Sequence, residues 1–141
     1  IYRAVNGTPG MNLIKIVELM GGLEKFIGPN DVVLIKPNFQ WWNQGAPNLE
    51  ALNTFVNLIF GRLGGFYGEV IIAENCHRGA TPWNSINSGW LHQFNWNSDN
   101  SKITNANDLV ALLKKKYGNK FSCCHWVDVK SGNFPSEKES Y

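Results

Sequence analysis

Asp31-Val32-Val33-Leu34-Ile35-Lys36-Pro37-Asn38 sets four consecutive aliphatic residues between an acid and a Lys-Pro-Asn turn. An unbroken apolar run of this length predicts a strand covered on both faces, as in the middle of a parallel sheet. Pro37 has no N–H to give a ladder and holds Lys36 extended, so the strand stops here, with Lys36 and Asn38 beyond its end. The same plan recurs in Gly68-Glu-Val-Ile-Ile-Ala-Glu-Asn-Cys-His-Arg78, where a strand over 69–73 gives way at once to polar groups. In open α/β sheets ligands bind in the crevice beyond the carboxyl ends of the strands. Lys36, Asn38, Glu74, Asn75, His77 and Arg78 are therefore a candidate constellation.

The segments between these strands read as helices. Ile1 to Val5 is a further strand candidate, and Thr8-Pro9 supplies a cap and a first helical residue that needs no N–H. From there Leu13, Ile16, Val17, Met20 and Leu23 recur at three- and four-residue spacing, which predicts a helix to about Phe26. Asn48 caps a second helix carrying Leu52, Phe55, Val56, Ile59 and Leu63 and ending near Gly64-Gly65. A third begins near Thr104 or Asn105, carries Leu109, Val110, Leu112 and Leu113, and stops at Gly118. Phe121 to Val129 reads as a last strand. The stretch from Glu74 to about Ile103 holds Trp83, Trp90, His92, Phe94 and Trp96 without helical or strand period, and a loop of that length is usually functional or packed by its own side chains. The order predicts an α/β fold, a three-layer sandwich with a largely parallel central sheet of about four strands. It forms a single domain over 1–129, followed by a polar tail over 130–141.

Composition narrows the classes. In 141 residues, 43% are hydrophobic and 17% charged, which suits a globular domain with one core rather than a disordered chain. No apolar stretch is long enough to span a membrane. The net charge of +2 is scattered apart from Lys114-Lys115-Lys116, which falls in the last turn of a helix and complements its dipole, so nucleic acid is not implied. Ile1 opens without an initiator Met or an apolar signal segment, so upstream sequence is expected to have been removed. Cys76, Cys123 and Cys124 are odd in number and lack a disulfide framework, which leans towards a reducing, cytoplasmic compartment. Asn6-Gly7-Thr8 is a glycosylation sequon that says little alone.

Each motif has a chemical reading and a plainer one. Lys36 could hold a carboxylate or phosphate, or serve as an acid or base; the plain reading is a solvated strand-end lysine. Glu74 and His77 offer an acid and a base, Arg78 a bidentate anion clamp, and Asn38 and Asn75 orienting amides; the plain reading pairs Glu74 with Arg78. Trp41 and Trp42 could wall a planar or sugar-like ligand, although packing is the commoner use of so large a ring. Cys123 and Cys124 sit next to each other on a strand and so point to opposite faces, which disfavours a shared metal. Cys123 with His125, or Cys76 with His77, makes only a partial ligand set for zinc or iron. Dinucleotide, phosphate-loop and serine-hydrolase patterns are absent.

Val-Val-Leu-Ile-Lys-Pro-Asn at 32–38, a helix, and Gly-Glu-Val-Ile-Ile-Ala-Glu-Asn at 68–75 together resemble the amino-terminal half of the family called domain of unknown function 362. The resemblance covers 1–78 with motif quality and the rest more loosely as an α/β continuation. Some members of that family carry a separate cysteine-rich, ferredoxin-like segment that binds iron–sulfur clusters. Three cysteines in two places hold no such cluster, so an iron–sulfur cofactor is not supported here. Members are typically longer, which implies a fragment or a pared-down member.

These readings converge on the ligand-binding part of an enzyme. Lys36, Glu74 and His77 are its candidate catalytic groups, and Asn38, Asn75, Arg78, Trp41 and Trp42 its candidate contacts to an anionic or carbonyl-bearing small molecule. The alternatives are a non-catalytic module binding sugar or peptide on an aromatic surface, and a metal-dependent or redox enzyme.

Overall fold

The computed structural model describes residues 1–40, 46–74, 89–92 and 103–125. Helix α1 (Pro9–Met20) is followed by a 3-10 turn at Leu23–Lys25, strand β1 (Val32–Ile35), helix α2 (Leu49–Phe60), strand β2 (Glu69–Glu74), helix α3 (Ala106–Tyr117) and strand β3 (Phe121–His125). The strands form one sheet in the order β1-β2-β3, and both pairings are parallel. The architecture is α/β with helices packed on a parallel sheet. None of the described helices is long and apolar enough to cross a membrane.

Local chemistry sets the helix ends. The Thr8 side chain accepts from the Met11 N–H, Asn48 from that of Ala51, and Asn105 from that of Asp108, so each helix starts on a polar cap with an otherwise orphaned donor satisfied. Helix α1 is shorter than its apolar period suggests. Gly21 takes a left-handed conformation, its N–H and that of Gly22 close back on the carbonyls of Glu18 and Val17, and the helix stops at Met20 instead of Phe26. Helix α2 likewise ends at Phe60, one turn before the Gly64-Gly65 expected to stop it, leaving Leu63 exposed.

Three further expectations are corrected. Ile1 to Val5 forms no strand: it pairs with nothing in the sheet, and Ile1, Tyr2 and Val5 are exposed, so the described sheet has three strands rather than about four. Among the described residues the first strand is an edge and not a centre. Val33 and Ile35 are half-buried, whereas Val32 is 65% and Leu34 56% exposed, so the apolar run is covered on one face only. In α1 the apolar stripe that the period predicts is only half-buried and Met20 is exposed: α1 packs on α2, and Val17 reaches the core cluster. The expected strand residues beyond His125, the tail over 130–141 and most of the aromatic loop lie outside the described residues.

Register builds the core. Val33, Val70 and Phe121 are level across the sheet, as are Ile35, Ile72 and Cys123, and in parallel strands level residues share a face. That face meets Leu52, Val56 and Ile59 of α2 and Leu109 and Leu113 of α3 in one apolar cluster. Trp90 joins it fully buried, edge-on to Phe39 at 5.1 Å between ring centroids. This aromatic residue of the long loop is a core anchor. Helices α2 and α3 are tied by Asn57, whose side-chain oxygen accepts from Lys116 Nζ at 2.7 Å and from the Tyr117 hydroxyl, beside a Phe60–Tyr117 stack.

Candidate functional site

The carboxyl ends of β1 and β2 open onto the same rim. Strand β1 ends at Ile35, so the Lys-Pro-Asn turn begins where Pro37 requires. Asn38 has φ +57°, a left-handed conformation that asparagine tolerates better than most side chains, and it reverses the chain so that Phe39 drops into the core. Phe39 O accepts the Gly89 N–H at 2.9 Å, which pins the turn to the segment carrying Trp90.

Glu74 closes β2 on the buried face, with its side chain 2% exposed. A carboxylate so withdrawn from water is costly unless its charge is met. Lys36 meets it: Nζ donates to Glu74 Oε2 at 2.7 Å, while 53% of the lysine side chain stays exposed. The result is an asymmetric pair, an acid held in the protein and a cation at its surface. Lys36 is thus a described partner of Glu74, two strands' ends brought together across 38 positions, while the pairing with Arg78 that the sequence also allows falls on a residue outside the described ones. Trp41, Trp42, Asn75, His77 and Arg78 lie outside the described residues.

In the sequence His125 figures only in a partial metal-ligand set, yet it ends β3 level with Glu74. Neighbouring strands lie about 4.8 Å apart, so the imidazole and the carboxylate belong to one patch of the rim. Its Nδ1 is buried, and its ring meets Trp90 edge-on at 4.4 Å. The available signal was position, since His125 ends a strand just as Glu74 does. What sequence lacked was the register that sets the two side by side.

The cysteines separate as strand alternation requires. Cys123 lies on the buried face with Ile72, and Cys124 is exposed. Burial pushes the Cys123 thiol up to about 11, with Cys124 adding to the effect and Lys114 opposing it. At neutral pH it is therefore a thiol, a poor nucleophile and a poor metal ligand. Among the described residues, no three of His, Cys, Asp and Glu come together as a metal site.

Beside the Lys36–Glu74 pair lies an open cleft of about 370 Å³, bounded by Leu13 of α1, Ile35 of β1 with the Lys-Pro-Asn turn, and Pro47, Ala51, Leu52 and Phe55 from the start of α2. A larger depression of about 670 Å³ runs between residues 3–7 and α1, away from the strand ends. Its charged groups include Lys15 and Glu18, which pair with each other on the surface, so the smaller cleft is the one that adjoins the reactive groups. The chain matches no family model, no curated protein and no solved structure.

Proposed function

We propose that this chain is the ligand-binding part of an enzyme acting on an anionic or carbonyl-bearing small molecule in the crevice beyond the carboxyl ends of β1 and β2. The observation that carries the reading is the buried Glu74 carboxylate held 2.7 Å from the half-exposed Lys36 ammonium, beside a cleft. Lys36 presents a donor to a ligand oxygen, Glu74 accepts or returns a proton through a position fixed by burial, and Asn38 bounds the cleft as an orienting group. Asn75, His77, Arg78, Trp41 and Trp42 belong to the same proposal on their place in the sequence. The resemblance of 1–78 to the domain of unknown function 362 family supports it in part, through the Lys-Pro-Asn turn.

The test is a titration of the isotope-labelled chain with inorganic phosphate, acetate, pyruvate and acetone, followed by amide resonances. At least one compound is expected to move the signals of Ile35, Lys36, Asn38 and Glu74. The double variant Lys36→Met with Glu74→Gln is expected to abolish those movements. Acid–base activity would show as deuterium entering the methyl group of pyruvate or acetone faster than in solvent alone. Signals that stay still with all four compounds would reject the reading.

A further inference from the structure

We infer that Asn6–Gly7 is a site of spontaneous chemical modification, deamidation through a cyclic imide, and that the Asn12 side chain sets its rate. The inference is independent of the Lys36–Glu74 reading and uses a stretch which that reading leaves aside, the Asn6-Gly7-Thr8 sequon. Of the asparagines in the 141 residues, only Asn6 is followed by glycine. Gly7 has no side chain to keep its amide nitrogen off the Asn6 carboxamide, and Asn6 is exposed, so water reaches the product. The fold asks for both residues. Asn6 holds φ +72°, a left-handed conformation that asparagine tolerates, and a Cβ on Gly7 would stand 2.9 Å from Asn12 Oδ1 and 3.1 Å from Met11 Cβ. The pair most open to cyclisation is therefore the pair that the turn into α1 selects.

In the reaction the Gly7 amide nitrogen, having lost its proton, attacks Asn6 Cγ. A bond forms between the two, the Cγ–Nδ2 bond breaks, and ammonia leaves with the proton. Water then opens the imide. Cleavage of the bond from nitrogen to Cγ gives aspartate, and cleavage of the bond from nitrogen to the Asn6 main-chain carbonyl gives isoaspartate, whose main chain runs through Cβ and Cγ. Nothing is oxidised or reduced, and water is the only co-reactant. Asn12 opposes the first step. Its Oδ1 accepts the Gly7 N–H at 3.2 Å and its Nδ2 donates to the Gly7 carbonyl oxygen at 2.9 Å, so one amide grips both polar groups of the glycine. An N–H held in a hydrogen bond ionises only when the bond opens, the event that hydrogen exchange detects. Asn12 sits in the first turns of α1, where its own N–H donates to the Thr8 carbonyl at 2.9 Å, so the grip lasts while that turn is formed. Either product puts a carboxylate at residue 6, in the depression between residues 3–7 and α1, and isoaspartate also lengthens the main chain ahead of the Thr8 cap.

Incubation of the 141-residue chain in mildly alkaline buffer, native or in guanidinium chloride, with mass spectrometry of acid-protease peptides to resolve asparagine, aspartate and isoaspartate, tests this. In guanidinium, residue 6 is expected to convert ahead of every other asparagine, and Gly7→Ala to slow it severalfold. In native buffer its conversion is expected to be at least about tenfold slower than in guanidinium, as two hydrogen bonds to Asn12 require. Asn12→Ala is expected to bring the native rate most of the way to the denatured one, with hydrogen exchange from Ile16 to Met20 still slow. If Asn12→Ala frays that helix, Asn12→Gln, whose longer side chain carries the amide past Gly7, is read in the same way. Another asparagine converting first in guanidinium would overturn the site. A native rate equal to the denatured one, or one that the Asn12 variants leave unchanged, would overturn the control by Asn12.

Discussion

Lys36 Nζ donates to Glu74 Oε2 across 2.7 Å, linking the turn that follows β1 to the last residue of β2, its parallel neighbour. The two partners are unequal in exposure, 53% for the lysine side chain and 2% for the glutamate. The carboxylate depends on the lysine far more than the reverse, because water can solvate the ammonium but has little access to the acid.

Removing the lysine alone should therefore cost more than removing the pair. Lys36→Met is expected to destabilise the fold by about 1–3 kcal/mol, as a buried acceptor loses its charged donor. The double variant Lys36→Met with Glu74→Gln is expected to recover most of that loss. Urea denaturation of the wild type, both single variants and the double variant closes the cycle; strictly additive losses would mean the contact contributes nothing.

Cys123 gives a pH dependence with a definite sign. Its thiol is raised from 9.0 to about 11 in the folded protein, so between those values the unfolded chain has lost a proton that the folded chain keeps. Stability from this group is fully present below pH about 9 and is lost as pH rises towards about 11. The slope is on the order of 1 kcal/mol per pH unit at most, reduced by the thiol's partial exposure. Denaturation midpoints of wild type and Cys123→Ala, compared from pH 8 to about pH 11, should converge as pH rises. At pH 8, peptide mapping after brief iodoacetamide treatment should find Cys124 alkylated well before Cys123.

The two faces of the sheet predict opposite tolerances. Leu34 is 56% exposed and Ile72 is fully buried, although the aliphatic runs that contain them look alike. Leu34→Thr is expected to change stability by less than about 0.5 kcal/mol, and Ile72→Thr to cost about 2–4 kcal/mol. Equal costs, measured by thermal and urea unfolding, would show that β1 is covered on both faces after all.

Gly68 admits no side chain for a steric reason. A Cβ there would stand 1.9 Å from the Asp31 carbonyl oxygen, where the chain entering β2 runs against the chain entering β1 and Glu69 N–H donates to that same oxygen at 3.2 Å. Gly68→Ala is expected to cost about 2–4 kcal/mol by forcing the β1–β2 pairing apart. A near-neutral result in calorimetry would mean the two strand entries separate easily.

Much of the local structure was legible in the residues. Thr8, Asn48 and Asn105 announce their helices because a short polar side chain satisfies a nearby backbone donor, a transaction that involves only a few residues. The Lys-Pro-Asn turn stops its strand for an equally local reason, since proline lacks the N–H a ladder needs. Gly21 is an equally local stop, masked in the sequence by an apolar period that continues to Leu23. The period continued because Leu23 is buried, but in a separate turn after the helix.

What a residue meets across the sheet is another matter. Four aliphatic residues in a row are compatible with a strand covered on both faces and with one covered on a single face, and only the packing of α2 and α3 against the Val33–Ile35 side leaves Val32 and Leu34 facing water. Lys36 and Glu74 are named by sequence as strand-end groups, but their contact, and the place of His125 beside Glu74, follow from parallel register between segments far apart in the chain. Caps, turns and alternation are set by neighbours a few bonds away and so are written in the sequence. Strand order and register come from the collective burial of one sheet face beneath the helices, a quantity no single stretch of residues contains.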